Sequence, residues 1–99
     1  MSKETRRYFI EGRVQGVGFR YWTVGRARHH GLVGWVRNRR DGRVEVLAYG
    51  DRSVLDGFER ELAEGPPAAL VQGVVPAPVT PEETELTSTA TVFEQVPTE

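Results

Sequence analysis

Apolar and polar residues alternate close to the N-terminus in the pattern of a β-strand with one buried face. Tyr8, Ile10 and Val14 occupy alternate positions there. A glycine-rich turn at residues 15–19 follows and leads into a segment of good helix formers. Gly25 weakens this helix prediction, because glycine is a poor helix former. The pattern therefore predicts a strand, a tight turn and a helix, with Gly31 placed to end the helix.

Two further apolar runs, residues 32–36 and 44–49, predict the strands of a β-hairpin. Asp41 and Gly42 lie between the runs, and both residue types tolerate the positive φ that tight hairpin turns require. Glu45, at the start of the second run, is expected to be a surface group. The hairpin tip is strongly basic: it contains Arg37, Arg39, Arg40 and Arg43. These arginines form either an ordinary solvated turn or a surface that attracts an anionic substrate.

The strongest helical pattern of the chain follows the hairpin. Asp51 or Ser53 could cap its N-terminus, and Gly65 is placed to end it ahead of two prolines. One apolar face is formed by residues spaced one helical turn apart: Val54, Leu55, Phe58 and Leu62. This pattern predicts an amphipathic helix that covers a sheet.

The C-terminal third predicts two strands, at residues 70–75 and 91–96. Between them, residues 76–90 contain three prolines, three glutamates and no basic residue, which predicts a mobile loop. A chain of 99 residues is expected to form a single domain over residues 1–99.

The order of elements is strand, helix, strand, strand, helix, strand, with one strand appended. This order predicts an α+β fold, a ferredoxin-like split βαβ sandwich with one mixed sheet and two helices on one face. In this topology the first two strands are parallel. We therefore expect the turn at residues 15–19 and Asn38, at the end of the second strand, to emerge at the same edge, about 10 Å apart.

The composition excludes several classes of chemistry. There is no cysteine, which rules out thiolate catalysis, cysteine-based zinc sites and disulfides. No apolar run approaches the roughly 18 residues of a membrane span, and residues 1–7 are polar with no apolar signal core behind them. A cytoplasmic, soluble protein is expected, with no membrane partner.

The net charge of −1 hides a strong asymmetry along the chain. Residues 1–43 contain 11 Lys or Arg and 3 Asp or Glu, whereas residues 44–99 contain 2 and 11. The first half should attract anions, unless the two halves neutralise each other across the folded surface. The sequence leaves both interpretations open.

The candidate chemistry is concentrated in the turn after the first strand, which reads Gln15-Gly16-Val17-Gly18-Phe19-Arg20. Glycines at a strand-to-helix junction allow successive N–H groups to point at an anion, and the N-terminus of the helix adds its positive end. Arg20 would lie in the first helical turn, where its guanidinium could bind two phosphate oxygens. The alternative is a tight turn in which glycine is present only because other residues would clash there, with no ligand bound.

Other motifs fit poorly. A dinucleotide fingerprint needs glycine where Tyr21 stands, and the Gly-Lys-Ser/Thr of a Walker loop is absent. The RNA-recognition consensus fails at Gln15, Val17 and Arg20. His29 and His30 are adjacent, so they diverge on a helix and cannot chelate a metal as an i, i+4 pair would. No nucleic-acid partner, metal or cofactor is therefore expected.

Two segments resemble the motifs of the acylphosphatase family, in the family's order and spacing: VQGVGFRYW at residues 14–22 and GLVGWVRN at residues 31–38. Asp41-Gly42, Val44-Glu45-Val46 and Gly65-Pro66-Pro67-Ala68 extend the resemblance, which covers roughly residues 5–75. The tail departs from the family pattern, because the connection before the ending Phe93-Glu94-Gln95-Val96 is long and proline-rich.

The resemblance implies a ferredoxin-like fold and hydrolysis of the carboxylic-phosphoric anhydride of acyl phosphates. By position, the family's phosphate loop corresponds to residues 15–20, its catalytic arginine to Arg20 and its water-orienting asparagine to Asn38. It implies a small-molecule acyl phosphate as substrate and inorganic phosphate as product. A metal-independent enzyme is expected, because no cluster of His, Asp and Glu with metal-ligand spacing accompanies the glycine turn, and a monomer is expected, because nothing in the sequence suggests an oligomer. A non-catalytic anion-binding or regulatory domain and an RNA-binding module are the alternatives.

Overall fold

The computed structural model describes residues 2–99, which form five strands and three helices around one mixed sheet. In chain order the elements are β1 (Lys3–Arg13), α1 (Phe19–His29), β2 (Val33–Asn38), β3 (Val44–Asp51), α2 (Arg52–Glu64), β4 (Leu70–Ala77), α3 (Pro81–Ser88) and β5 (Phe93–Gln95). The strand order is β4-β1-β3-β2-β5. This architecture confirms the α+β, ferredoxin-like class.

β3 lies at the centre of the sheet and pairs antiparallel with β1 on one side and with β2 on the other. β1 and β2 are therefore parallel, as the topology predicts. Val46 of β3 stands opposite Tyr8 in one pair and opposite Val36 in the other, and all three side chains are fully buried. They belong to the apolar core between this face of the sheet and the helices α1 and α2.

The two helices of the core begin and end close to the expected residues. α1 starts after Gly18 and is followed by Gly31, whose φ of 71° is the left-handed conformation that favours glycine at a helix end. Asp51 caps α2 by accepting a hydrogen bond from the Ser53 backbone N–H at 3.2 Å. Its apolar face is buried as predicted.

The β2–β3 connection is longer than a tight hairpin turn, since residues 39–43 lie outside both strands. The N–H of Arg39 donates to the Arg43 carbonyl at 2.8 Å, which closes the loop. Gly42 has a φ of 98°, but within residues 2–99 only glycines have positive φ, so the expectation that Asp41 uses this conformation is wrong. A five-residue loop needs only the one left-handed residue.

The expected loop at residues 76–90 contains a helix, so the irregular-loop prediction is wrong for α3. The helix starts with a capping box, in which the Glu83 N–H donates to Thr80 Oγ1 at 3.1 Å and the Thr80 N–H donates to Glu83 Oε1 at 3.0 Å. Pro81 stands in the first turn, where its missing N–H needs no partner. The prolines therefore start the helix rather than interrupt it.

α3 lies on the face of the sheet opposite α1 and α2. The two predicted helices on one face are therefore present, but a third helix, which the sequence analysis does not predict, covers the other face. The Thr5 and Thr87 hydroxyls are 2.8 Å apart, and Arg7 forms an ion pair with Glu83. This contact holds the pKa of Glu83 below its ordinary value. Leu47, on the same face of β3, is 1% exposed.

Glu45 is buried and not a surface group, which corrects the expectation from the sequence. Its side chain is 3% exposed and accepts from Arg7 Nε at 2.7 Å and Arg37 Nε at 2.8 Å, and Arg39 Nη1 lies 3.4 Å away. A buried carboxylate is tolerated where opposite charges and hydrogen bonds compensate for lost water. Arg7 comes from β1, so the compensation depends on strand pairing.

The last strand is shorter than the predicted 91–96 and lies at the edge of the sheet. β5 runs parallel to β2, and Phe93 is 1% exposed with its ring centroid 6.3 Å from that of Phe58 on α2. Among residues 2–99, no helix is both long enough and apolar enough to cross a membrane.

Replacing Thr80 with alanine tests whether α3 is a folded part of the structure. Thr80→Ala removes the cap acceptor and should lower the free energy of unfolding by about 1 kcal/mol in urea titrations. Thr84→Ala is the matched control, since the Thr84 hydroxyl donates only to the Thr80 carbonyl one turn away. Equal stability of Thr80→Ala and the unmodified protein would contradict the α3 assignment.

Candidate active site

The turn between β1 and α1 places two left-handed glycines next to the start of a helix. Gly16 has a φ of 73° and Gly18 a φ of 78°, and Gly18 is the residue from which α1 begins. Side chains would be strained at both positions. The turn borders a pocket of about 120 Å³ whose lining includes Gly16, Gly18, Phe19 and Arg20. Gly16 and Gly18 are exposed, and together with the positive end of α1 they make this pocket suited to an anion.

Arg20 lines this pocket from the first turn of α1. Its guanidinium forms no hydrogen bond or ion pair with another residue among 2–99. Several other arginines of the first half are paired with carboxylates of the second half, as in Arg6–Asp56, Arg26–Glu61 and Arg37–Glu45. Arg20 therefore remains available for an external anion, and its planar fork matches two phosphate oxygens.

Gln15 connects the turn to the β2–β3 loop. Its Nε2 donates to the Arg39 carbonyl at 2.8 Å and to the Arg43 carbonyl at 2.9 Å. Both amide hydrogens are used in this way, so the Gln15 side chain positions the loop, and only its main chain is open to an anion. The two hydrogen bonds hold the glycine turn against the loop that follows Asn38.

Asn38 is the last residue of β2 and pairs with Val44. Side chains alternate along a strand, so Asn38 shares the helix-covered face with Val36. Its Oδ1 atom is buried and has no hydrogen-bond partner among residues 2–99. An unpaired buried acceptor costs about 1–3 kcal/mol, so the stability of the fold does not explain an asparagine at the end of β2. Because β1 and β2 are both antiparallel to β3, β2 ends at the edge of the sheet where the glycine turn lies, as expected.

The basic hairpin tip is largely neutralised within the protein. Arg37 and Arg39 face Glu45, and Arg43 Nε donates to Asp41 Oδ2 at 2.9 Å. The Arg43 guanidinium holds the pKa of Asp41 below its ordinary value, so this pair stays ionised at neutral pH. These contacts favour a structural turn over a surface that attracts substrate.

Three pocket residues lie outside the site predicted from the sequence: Val14, Tyr21 and Gln95. Val14 is predicted there as a strand residue, and Tyr21 belongs to the VQGVGFRYW motif without a predicted role. Gln95 reaches the pocket because β5 pairs with β2, with Gln95 opposite Val36. No local pattern indicates this position, since it depends on a pairing between distant segments. Within residues 2–99, no group of three or more His, Asp or Glu side chains is placed to hold a metal ion. What the site offers is N–H groups, a guanidinium and an amide.

A glycine turn at the start of a helix, an arginine without a partner among residues 2–99 and a buried asparagine on a ferredoxin-like sheet define an α+β protein suited to binding an anion. The acylphosphatase family model matches residues 6–91, so the chain belongs to the acylphosphatase family. The protein hydrolyses acyl phosphates to a carboxylate and inorganic phosphate. This confirms the resemblance carried by the two sequence motifs.

Relatives support the assignment over nearly the whole chain. An acylphosphatase of Nitrobacter hamburgensis is 43% identical over 98 residues, covering 99% of both chains. One of Koribacter versatilis is 53% identical over 81 residues, covering 82% of this chain and 74% of that protein. The crystal structure of acylphosphatase from Bacillus subtilis matches with a TM-score of 0.78 and 36% identity, covering 94% of this chain and 98% of that one.

The bridge made by Gln15 should matter for both stability and activity. Gln15→Met keeps the length of the side chain but removes two hydrogen bonds, so the free energy of unfolding should fall by about 1–3 kcal/mol. Because the glycine turn would shift relative to Asn38, kcat/KM for acetyl phosphate should fall on the order of tenfold or more. Urea titration and steady-state kinetics measure the two effects.

Gln72→Met is the control for this substitution, because Gln72 is an exposed glutamine in β4. It should leave both quantities unchanged. If Gln15→Met behaves like Gln72→Met, the bridge does not position the site.

Proposed function

We propose that the main chain of residues 15–20, from Gln15 through Gly16, Val17, Gly18 and Phe19 to Arg20, holds the phosphoryl group of the acyl phosphate. The Arg20 guanidinium binds two phosphoryl oxygens, and the Asn38 side chain orients the attacking water. The observation that supports this most directly is the Arg20 guanidinium, which lines the pocket at the glycine turn and has no hydrogen-bond or ion-pair partner among residues 2–99. A water that donates a hydrogen bond to the side-chain oxygen of Asn38, once that side chain turns toward the pocket, would have a lone pair free for attack on phosphorus.

For this reaction the protein has to position the reactants and neutralise negative charge. The leaving group is a carboxylate whose conjugate acid has a pKa near 4, so it departs without a general acid. The water oxygen attacks phosphorus, the bond from phosphorus to the acyl oxygen breaks, and its electron pair stays on the carboxylate. The proton of the water passes to an oxygen of the substrate itself. The N–H groups and Arg20 neutralise charge on the transferring group.

A non-catalytic anion-binding domain would need the glycine turn and Arg20 but has no use for an unpartnered amide beside them. Asn38 therefore favours turnover. We also propose that the enzyme is a cytoplasmic monomer, since the proposed site needs no residue from a second copy. We propose no nucleic-acid partner, because Arg37, Arg39 and Arg43 at the hairpin tip face carboxylates of the same chain.

Substitution of Arg20 and Asn38 should separate their two roles. Arg20→Gln removes a charge-assisted contact of about 1.5–3 kcal/mol that is needed for binding and for the transition state. Phosphate affinity and turnover should both collapse. Asn38→Ala leaves the phosphate contacts in place, so turnover should fall on the order of a hundredfold with phosphate affinity nearly unchanged. Calorimetry with inorganic phosphate and steady-state kinetics measure these effects.

Thermal melts of both variants exclude unfolding as the cause. A folded Asn38→Ala protein with normal turnover would remove Asn38 from the mechanism. If this variant instead lost phosphate binding, Asn38 would belong to the phosphate contacts.

Hydrolysis should survive treatment with EDTA, because the proposed mechanism assigns every charge-neutralising role to protein groups. Acetyl phosphate turnover is measured before and after dialysis against the chelator, and then with divalent metal added back. An activity that EDTA abolishes and metal restores would contradict the metal-independent mechanism.

A further inference from the structure

Gly25 occupies a position where the fold does not require glycine. It lies inside α1, its φ is not in the positive range, and a Cβ built there would have no atom within 4 Å apart from those of its chain neighbours and the surrounding helix backbone. Glycine inside a helix costs about 1 kcal/mol relative to alanine. Neither backbone conformation nor packing therefore explains the residue, and the helix would be more stable with a side chain there.

Gly25 has no side chain, and an open hollow lies above it on the outer face of α1. The hollow has a volume of about 460 Å³ and is bordered by Tyr21 and Trp22 on one side and by His29 on the other. Tyr21 and His29 are each one helical turn from Gly25. Tyr21 is 80% exposed, so most of its ring has no packing role within residues 2–99. An aromatic side chain exposed to this extent is available to a ligand.

Tyr21 joins the hollow to the proposed active site, because it lines both the hollow and the pocket at the glycine turn. An acyl group is bonded to the phosphoryl group through one oxygen, so it begins within a few ångströms of wherever the phosphate is held. Gly25 follows Tyr21 by four positions in the helix, so their Cα atoms differ by a rise of about 6 Å along the helix axis. This distance is close to the length of a benzoyl group.

We infer that the hollow over Gly25 is the subsite for the acyl substituent and that it favours aromatic acyl phosphates, whose ring stacks on Tyr21. The inference rests on the proposed binding of the phosphoryl group at residues 15–20. Stacking of two aromatic rings contributes about 0.5–1.5 kcal/mol beyond burial, which corresponds to a discrimination of about two- to tenfold over an aliphatic acyl group.

The test is the ratio of kcat/KM for benzoyl phosphate to kcat/KM for acetyl phosphate. Tyr21→Ala removes the stacking surface, and Gly25→Leu fills the hollow with a side chain of good helix propensity. Each substitution should lower the ratio about two- to tenfold. Gly25→Leu should also raise the melting temperature, so that a lower ratio cannot be attributed to loss of folding.

Gly57→Ala is the control, because Gly57 is also a glycine inside a helix, α2. A Cβ added at Gly57 would meet only the end of the Arg60 side chain, 3.7 Å away. This substitution should raise the melting temperature and keep the ratio. An unchanged ratio in either folded variant, Tyr21→Ala or Gly25→Leu, overturns the subsite.

Arg20→Gln, assayed with both substrates, separates this failure from failure of the proposed function. If Arg20→Gln abolishes turnover of both substrates while the ratio is unchanged in the hollow variants, the phosphate site stands and the subsite is wrong. If Arg20→Gln retains turnover of both, the phosphate is held elsewhere and the subsite falls with it.

Discussion

The antiparallel pairing of β3 with two strands at once is the constraint on which the site depends. Because β1 and β2 both run opposite to β3, they are parallel and end at the same edge of the sheet. The glycine turn leaves β1 at that edge and Asn38 ends β2 there. Gln15 then fixes the position of the turn relative to the β2–β3 loop, since its side-chain amide donates to two carbonyls of that loop. Strand direction thus brings the glycine turn and the end of β2, with Asn38, to one edge of the sheet.

Charge is distributed so that the two halves of the chain complement each other. Basic residues from the first half meet carboxylates from the second half, and the buried Glu45 is compensated by Arg7 and Arg37. Ion pairs between exposed groups add little stability, but an uncompensated buried carboxylate would be strongly destabilising. Arg20, by contrast, has no carboxylate partner among residues 2–99, which leaves its charge available to the external anion that we propose it binds.

Several features at or near the proposed site lower the stability of the fold. Gly16 and Gly18 have the positive φ that favours glycine and give up conformational entropy on folding, and Asn38 Oδ1 is buried without a hydrogen-bond partner among residues 2–99. Gly25 weakens α1 without a structural reason. All of them lie on the glycine turn, at the end of β2 or on the helix that follows the turn. Local departures from the most stable choice are expected where binding and chemistry take place.

The sequence by itself determined the elements up to residue 75, the ferredoxin-like order and the glycine turn with Arg20, because these depend on local periodicity, turn chemistry and a specific motif. The start of α3 is also encoded locally, by the capping residues Thr80 and Glu83 and by Pro81 in the first turn, although a proline-rich composition by itself favours a loop prediction. Only the tertiary structure decided that Glu45 is buried, that Gln95 reaches the pocket and that α3 covers the second face of the sheet. These features depend on strand pairing between segments far apart in the chain, and no local pattern contains the register of such pairs.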